Sequence, residues 1–85
     1  LMELVWLPLG WEDYLYWQQN DKKILKRTNL LIKDAMRDPF DGIGKPEPLK
    51  ANFTGWWSRR ITGEHRLVYK AENNRLIIMK CSYHY

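Results

Sequence analysis

Between Lys22 and Arg37, Ile24, Leu25, Leu31, Ile32, Ala35 and Met36 fall along one side of a helix, with Thr28 filling the gap in the stripe. Lys22, Lys23, Lys26, Arg27, Lys33 and Arg37 lie mostly on its other faces. A helix this one-sided gains its stability by burying the stripe against a neighbour. Three downstream runs supply one. Residues 56–62, 66–71 and 75–83 read as strands, with turns at Gly63-Glu64-His65 and Glu72-Asn73-Asn74.

Upstream, residues 2–6 (MELVW) alternate briefly and read as a first strand. Pro8 suits a first helical turn, and Trp11, Tyr14, Leu15 and Gln18 follow at helical spacing. Asn20 and Asp21 break that helix, Asp21 caps the next, and Pro39 ends it. Residues 39–55 hold three of the four prolines and three of the five glycines, which predicts a long loop with one helical turn around 49–52. Loops of this length in small domains tend to carry function. The order β-α-α-β-β-β predicts an α+β domain over residues 2–85, with Leu1 set aside. A twisted, mainly antiparallel sheet carries the helical hairpin on one face.

Eighty-five residues make one domain, and 45% hydrophobic content with five Trp and five Tyr excludes a disordered chain. No apolar run approaches about 18 residues and no signal-peptide pattern opens the sequence. A single cysteine, Cys81, forms no internal disulfide. A cytoplasmic protein without membrane contact is therefore expected. Charge is unevenly spread. Residues 1–21 carry four acids and no Lys or Arg, whereas residues 22–85 carry all fourteen Lys and Arg against six acids. Basic residues interleaved with Trp and Tyr suit an anionic partner, with nucleic acid the leading candidate.

Several motifs fail. Pro46 follows Gly44-Lys45, so the phosphate-loop pattern is absent. Cys81 and His84 have C-x-x-H spacing, but one Cys and two His make no convincing zinc site. Apolar neighbours make Cys81 a buried, inert thiol. What remains is Glu47 between two prolines, Arg59 and Arg60 on opposite faces of a strand, Arg66 opening the next strand, and a terminal Tyr83-His84-Tyr85. RNA is cut by its own 2′-hydroxyl when a base takes that proton, cations hold the pentavalent phosphate and an acid serves the departing 5′-oxygen. Glu, Arg or Lys, and His are the side chains for those roles.

These segments resemble a known family. Trp11-Glu12-Asp13-Tyr14-Leu15-Tyr16-Trp17-Gln18, Gly44-Lys45-Pro46-Glu47-Pro48-Leu49-Lys50, Gly55-Trp56-Trp57-Ser58-Arg59-Arg60-Ile61, Glu64-His65-Arg66-Leu67-Val68-Tyr69 and Tyr83-His84-Tyr85 are similar, in order, to the YoeB/Txe toxins of type II toxin–antitoxin systems. The resemblance implies a compact microbial-RNase-like fold of the RelE-like superfamily and a ribosome-dependent endoribonuclease that cuts mRNA in the A site, with no metal or other cofactor. It implies Glu47 as general base, His84 as general acid, Arg66 as stabiliser of the transition-state phosphate and Tyr85 as a positioning group. Lys50 and Arg60 are implied phosphate contacts. Expected partners are mRNA, the ribosome with its rRNA, a YefM/Axe-like antitoxin with an acidic C-terminal segment, and a second copy in a homodimer. Lys22, Lys23, Lys26 and Arg27 are the expected ribosome-binding residues. Other members of the superfamily inhibit DNA gyrase without cutting RNA, and an inactive, antitoxin-binding homologue is the remaining alternative.

Overall fold

The computed structural model describes residues 2–84. Its elements are β1 (Glu3–Trp6), α1 (Pro8–Asn20), α2 (Lys22–Arg37), β2 (Glu47–Pro48), a 3₁₀ turn (Ala51–Phe53), β3 (Trp57–Arg60), β4 (Arg66–Glu72) and β5 (Arg75–Lys80). Two helices pack on a five-stranded sheet of order β1-β5-β4-β3-β2, the α+β architecture that the periodicities predict. No helix among the described residues is long and apolar enough to cross a membrane.

Local chemistry sets the helix ends. Pro8 opens α1, where its missing N–H costs nothing. Asp21 serves both helices. Its backbone N–H closes α1 on the Trp17 carbonyl, and its side chain accepts from the Ile24 N–H at 3.1 Å to open α2. The α2 stripe buries Thr28, Leu31, Ile32 and Ala35. These meet Leu67, Tyr69, Leu76, Ile78 and Cys81, all fully buried. Each such aliphatic side chain contributes about 1.5–3 kcal/mol by leaving water. On α1 the buried face is Gly10 and Trp17 with Tyr14 beside them, whereas Leu15 and Gln18, expected on it, face solvent. A Cβ at Gly10 would stand 2.8 Å from the Ile78 carbonyl oxygen, so the bare glycine lets α1 lie directly on β5.

The sheet departs from expectation in three places. β1 pairs with β5 in parallel, Glu3 opposite Arg75 through Trp6 opposite Ile78. The long loop contributes the two-residue edge strand β2, antiparallel to β3. The strand expected to run to residue 83 stops at Lys80, and Tyr83 turns to φ +49°. The β4–β5 turn is as expected. Asn73 and Asn74 adopt φ of +51° and +59°, the double left-handed conformation of a tight hairpin turn, which Asn tolerates.

Thr28 is fully buried, and among the described residues its Oγ1 is the one buried side-chain N or O atom without a hydrogen-bond partner. An unsatisfied buried hydroxyl costs about 1–3 kcal/mol. Thr28→Val keeps the shape and removes the hydroxyl, so it is expected to raise stability by about 1 kcal/mol in urea unfolding. An unchanged or lower midpoint would contradict this.

Candidate active site

Directly paired residues of neighbouring antiparallel strands project from the same side of a sheet. Arg59 pairs with Leu67 and Trp57 with Tyr69, and these point toward the helices. Ser58 pairs with Val68 and with Glu47, and Arg60 pairs with Arg66. Glu47, Arg60 and Arg66 therefore project from the opposite side. Lys80 shares it through its pairing with Val68, and the Lys80 ammonium donates to the His84 carbonyl oxygen at 2.9 Å. Three of the expected site residues thus project from the face away from the helices, and the His84 backbone is tethered there by Lys80. Glu47 and Arg66 lie on either side of β3, two strand spacings of about 4.8 Å apart and two residues offset along it. Glu47 is exposed and lines an open cleft of about 330 Å³ with Pro48, Leu49 and Lys50. Tyr85 lies outside the described residues. Lys22, Lys23 and Lys26 are exposed and Arg27 half-buried on the first turns of α2, in the opposite layer.

Arg66 differs from the surface arginine expected at a strand start. It is 9% exposed, and its Nη1 donates to the carbonyls of Thr62 (2.6 Å), Gly63 (3.2 Å) and His65 (3.1 Å). The Thr62 hydroxyl shapes that turn by accepting from the N–H groups of Glu64 and His65. The guanidinium is thus held by the carbonyls of the turn that precedes it.

Glu47 is delivered by the loop after α2, and Arg59 fixes that loop. Alternation predicts opposite faces for Arg59 and Arg60. Arg59 is the inward one, fully buried, and Arg60 the exposed one. Arg59 donates to Asp34 Oδ2 (2.6 Å), to the Tyr69 hydroxyl (2.9 Å) and to the carbonyls of Asp38 (2.6 Å), Asp41 (3.1 Å) and Ile43 (3.1 Å). One side chain thereby ties the loop to α2 and to β4. Gly44, at φ +79°, passes so close to Leu31 that a Cβ would stand 2.6 Å from its methyl group, and its carbonyl accepts from Arg60 N–H at 2.7 Å. Three residues on, the chain enters β2 at Glu47 between its flanking prolines.

The Ile43 N–H, then Arg59 and Arg37, hold the Asp34 carboxyl down at about 2, below its ordinary 3.8. A depressed carboxylate stabilises the fold above its unfolded value and loses that contribution as pH falls through the folded value. Thermal melts of the protein are therefore expected to drop between about pH 4 and pH 2, and Asp34→Asn to flatten that part of the profile. Equal acid slopes in both proteins would reject the assignment. Cys81 is buried, with burial pushing its thiol up to about 12, as expected for an inert cysteine.

Sequence reasoning missed Arg59 as the loop anchor and His65 as a tail contact. For Arg59 the signal was partial, since alternation sends Arg59 and Arg60 to opposite faces without saying which is inward. His65 sits in a turn beside Glu64 and reads as a surface residue, but it is 5% exposed, and its Nδ1 accepts the Tyr83 N–H at 2.8 Å.

A small helical hairpin thus packs on a sheet whose outer face carries a carboxylate and arginines, with the chain at His84 tethered there by Lys80. The family described as the YoeB-like toxin of bacterial type II toxin–antitoxin systems matches residues 6–85. A Synechocystis protein, "Toxin YoeB", is 63% identical over 84 residues, covering 99% of this chain and 98% of its own. Two solved structures from Staphylococcus aureus superpose with TM-scores of 0.91. One is a YoeB dimer, 50% identical, covering 99% of this chain and 98% of that one. The other is a YoeB-YefM complex, 49% identical, covering 100% and 99%. This chain belongs to the family of YoeB-like toxins of bacterial type II toxin–antitoxin systems.

Proposed function

We propose that this chain is a ribosome-dependent mRNA endoribonuclease that cuts in the A site and so stops translation. Glu47 takes the proton from the 2′-hydroxyl. The 2′-oxygen bonds to phosphorus, the bond to the 5′-oxygen breaks, and His84 gives that oxygen a proton. Arg66, pinned by the Thr62–His65 turn, meets the charge that builds on the phosphate, with Arg60 and Lys50 at its borders. Tyr85 positions the scissile group. The products are a 2′,3′-cyclic phosphate, opening to a 3′-phosphate, and a 5′-hydroxyl end.

The observation that carries this reading is the strand register, which aligns Glu47, Arg60 and Arg66 on one face and tethers His84 beside them through Lys80. The uneven charge supports it, since a ribosome presents a dense array of phosphates. Lys22, Lys23, Lys26 and Arg27, in the other layer, serve ribosome binding rather than chemistry. A YefM-type antitoxin neutralises the toxin, and the toxin pairs with a second copy, in line with the complex and the dimer formed by the S. aureus relative.

The test is primer extension on mRNA in a translation extract, with and without ribosomes. Cleavage that requires ribosomes and is lost in Glu47→Ala is expected. Equal cleavage by Glu47→Ala, or by the toxin on naked mRNA, overturns the reading. Arrest of DNA synthesis with intact mRNA would point instead to gyrase.

A further inference from the structure

The segment after β5 has no regular ladder, yet backbone hydrogen bonds at Cys81 and Tyr83 hold it ahead of the Lys80 tether on His84. The Cys81 N–H donates to Asp13 Oδ2 at 2.9 Å and its carbonyl accepts from Trp17 Nε1 at 2.8 Å. The Tyr83 carbonyl accepts from the Arg66 N–H at 3.2 Å, and the Tyr83 N–H donates to His65 Nδ1 at 2.8 Å. The last two bracket the residue immediately before His84. The His65 ring is wedged edge-on between Trp17 and Tyr83, with centroids 4.8 and 4.6 Å away.

A backbone amide only donates, so Nδ1 must present a lone pair. The other ring nitrogen, Nε2, lies 3.5 Å from Glu64 Oε1. Tyr83 bends to meet Nδ1. At φ +49° its backbone is left-handed, a conformation that a bulky side chain takes only when its surroundings impose it. That bend turns the chain out of line with β5 and sets the direction in which His84 leaves.

We infer that His65 is a positioning residue for the general acid: its ring, braced by Trp17, fixes the Tyr83 backbone and so aims His84 at the departing oxygen. This rests on the proposed role of His84. His65 itself touches no reacting atom. Its contribution is the lone pair on Nδ1 and the rigidity of the ring behind it.

The lone pair and the ring are separable. His65→Asn puts an amide oxygen close to where Nδ1 stands and removes the ring. His65→Phe keeps a ring and removes the acceptor, and His65→Gln, whose amide reaches the Nε2 position, replaces it if the Phe protein does not fold. Each is assayed by single-turnover cleavage on programmed ribosomes, alongside His84→Ala, with melting temperature and hydrogen exchange of the Tyr83 amide measured on the same proteins. The acceptor-less variant is expected to lose about 10- to 100-fold in the saturated rate, the scale of a positioning error of about 1 Å, with unchanged apparent affinity for ribosomes and an unprotected Tyr83 amide. His65→Asn is expected to regain protection and most of the rate despite a lower melting temperature. A purely structural role would make rate follow melting temperature. A Tyr83 amide that stays protected without the acceptor overturns the clamp. So does an acceptor-less variant that cleaves at the wild-type rate while His84→Ala does not. Wild-type cleavage by His84→Ala would instead remove the acid assignment, and the positioning role with it, whatever the exchange data show.

Discussion

Replacing His84 by alanine is expected to slow single-turnover cleavage on programmed ribosomes by about 100-fold or more while leaving the melting temperature almost unchanged. The His84 residue is exposed, and the bond that tethers it to Lys80 uses the backbone carbonyl, which alanine retains. The fold is therefore nearly indifferent to the imidazole, and the loss reads on chemistry alone. Growth inhibition on expression should disappear with it. A variant that cleaves as fast as the wild type leaves the 5′-oxygen without a proton source and ends the acid–base scheme.

Arg59→Met is expected to have the opposite signature, a loss of stability so large that activity fails through the fold. Removing one partner of a buried ion pair costs about 3–5 kcal/mol, because the other partner is left uncompensated. Here the carbonyls of Asp38, Asp41 and Ile43 lose their donor, and the Asp34 carboxylate loses its buried partner, keeping the Ile43 N–H and the exposed Arg37. Small domains hold only about 5–15 kcal/mol in all. Urea unfolding should show a midpoint far below wild type, and Asp34→Asn in the Arg59→Met background should recover part of the difference by removing the stranded charge. Arg59→Lys should rescue poorly, since one ammonium cannot span donors that a planar guanidinium sends in several directions. A loss below about 1 kcal/mol would show that the loop stands without its staple.

The elements most legible in the sequence are those whose signals are local. The α2 stripe, the Asp21 cap and the Asn73-Asn74 turn each sit within a few residues of the chemistry that causes them, and all are found in place. β2 has no such signal. Two residues, one of them proline, show no alternation, and Glu47–Pro48 is a strand only because β3 offers an edge. The parallel pairing of β1 with β5 joins Glu3 to Arg75, a distance over which periodicity says nothing. At the site, alternation separates Arg59 from Arg60 but carries no information about which one faces the helices. That is decided by Asp34 and by the backbone carbonyls waiting beneath Arg59. The strand expected to run to residue 83 gives way after Lys80, where the Tyr83 amide is bonded to His65, distant in sequence.

The placement of β5 bears on how the molecule comes into being. β1 and one face of α1 are housed by residues from Arg75 onward. β1 lies along β5, Gly10 rests on Ile78, and Asp13 and Trp17 grip Cys81. A growing polypeptide therefore carries a first strand and helix whose partners on β5 and Cys81 come last, so that this part of the sheet closes only after residues 75–81 are added.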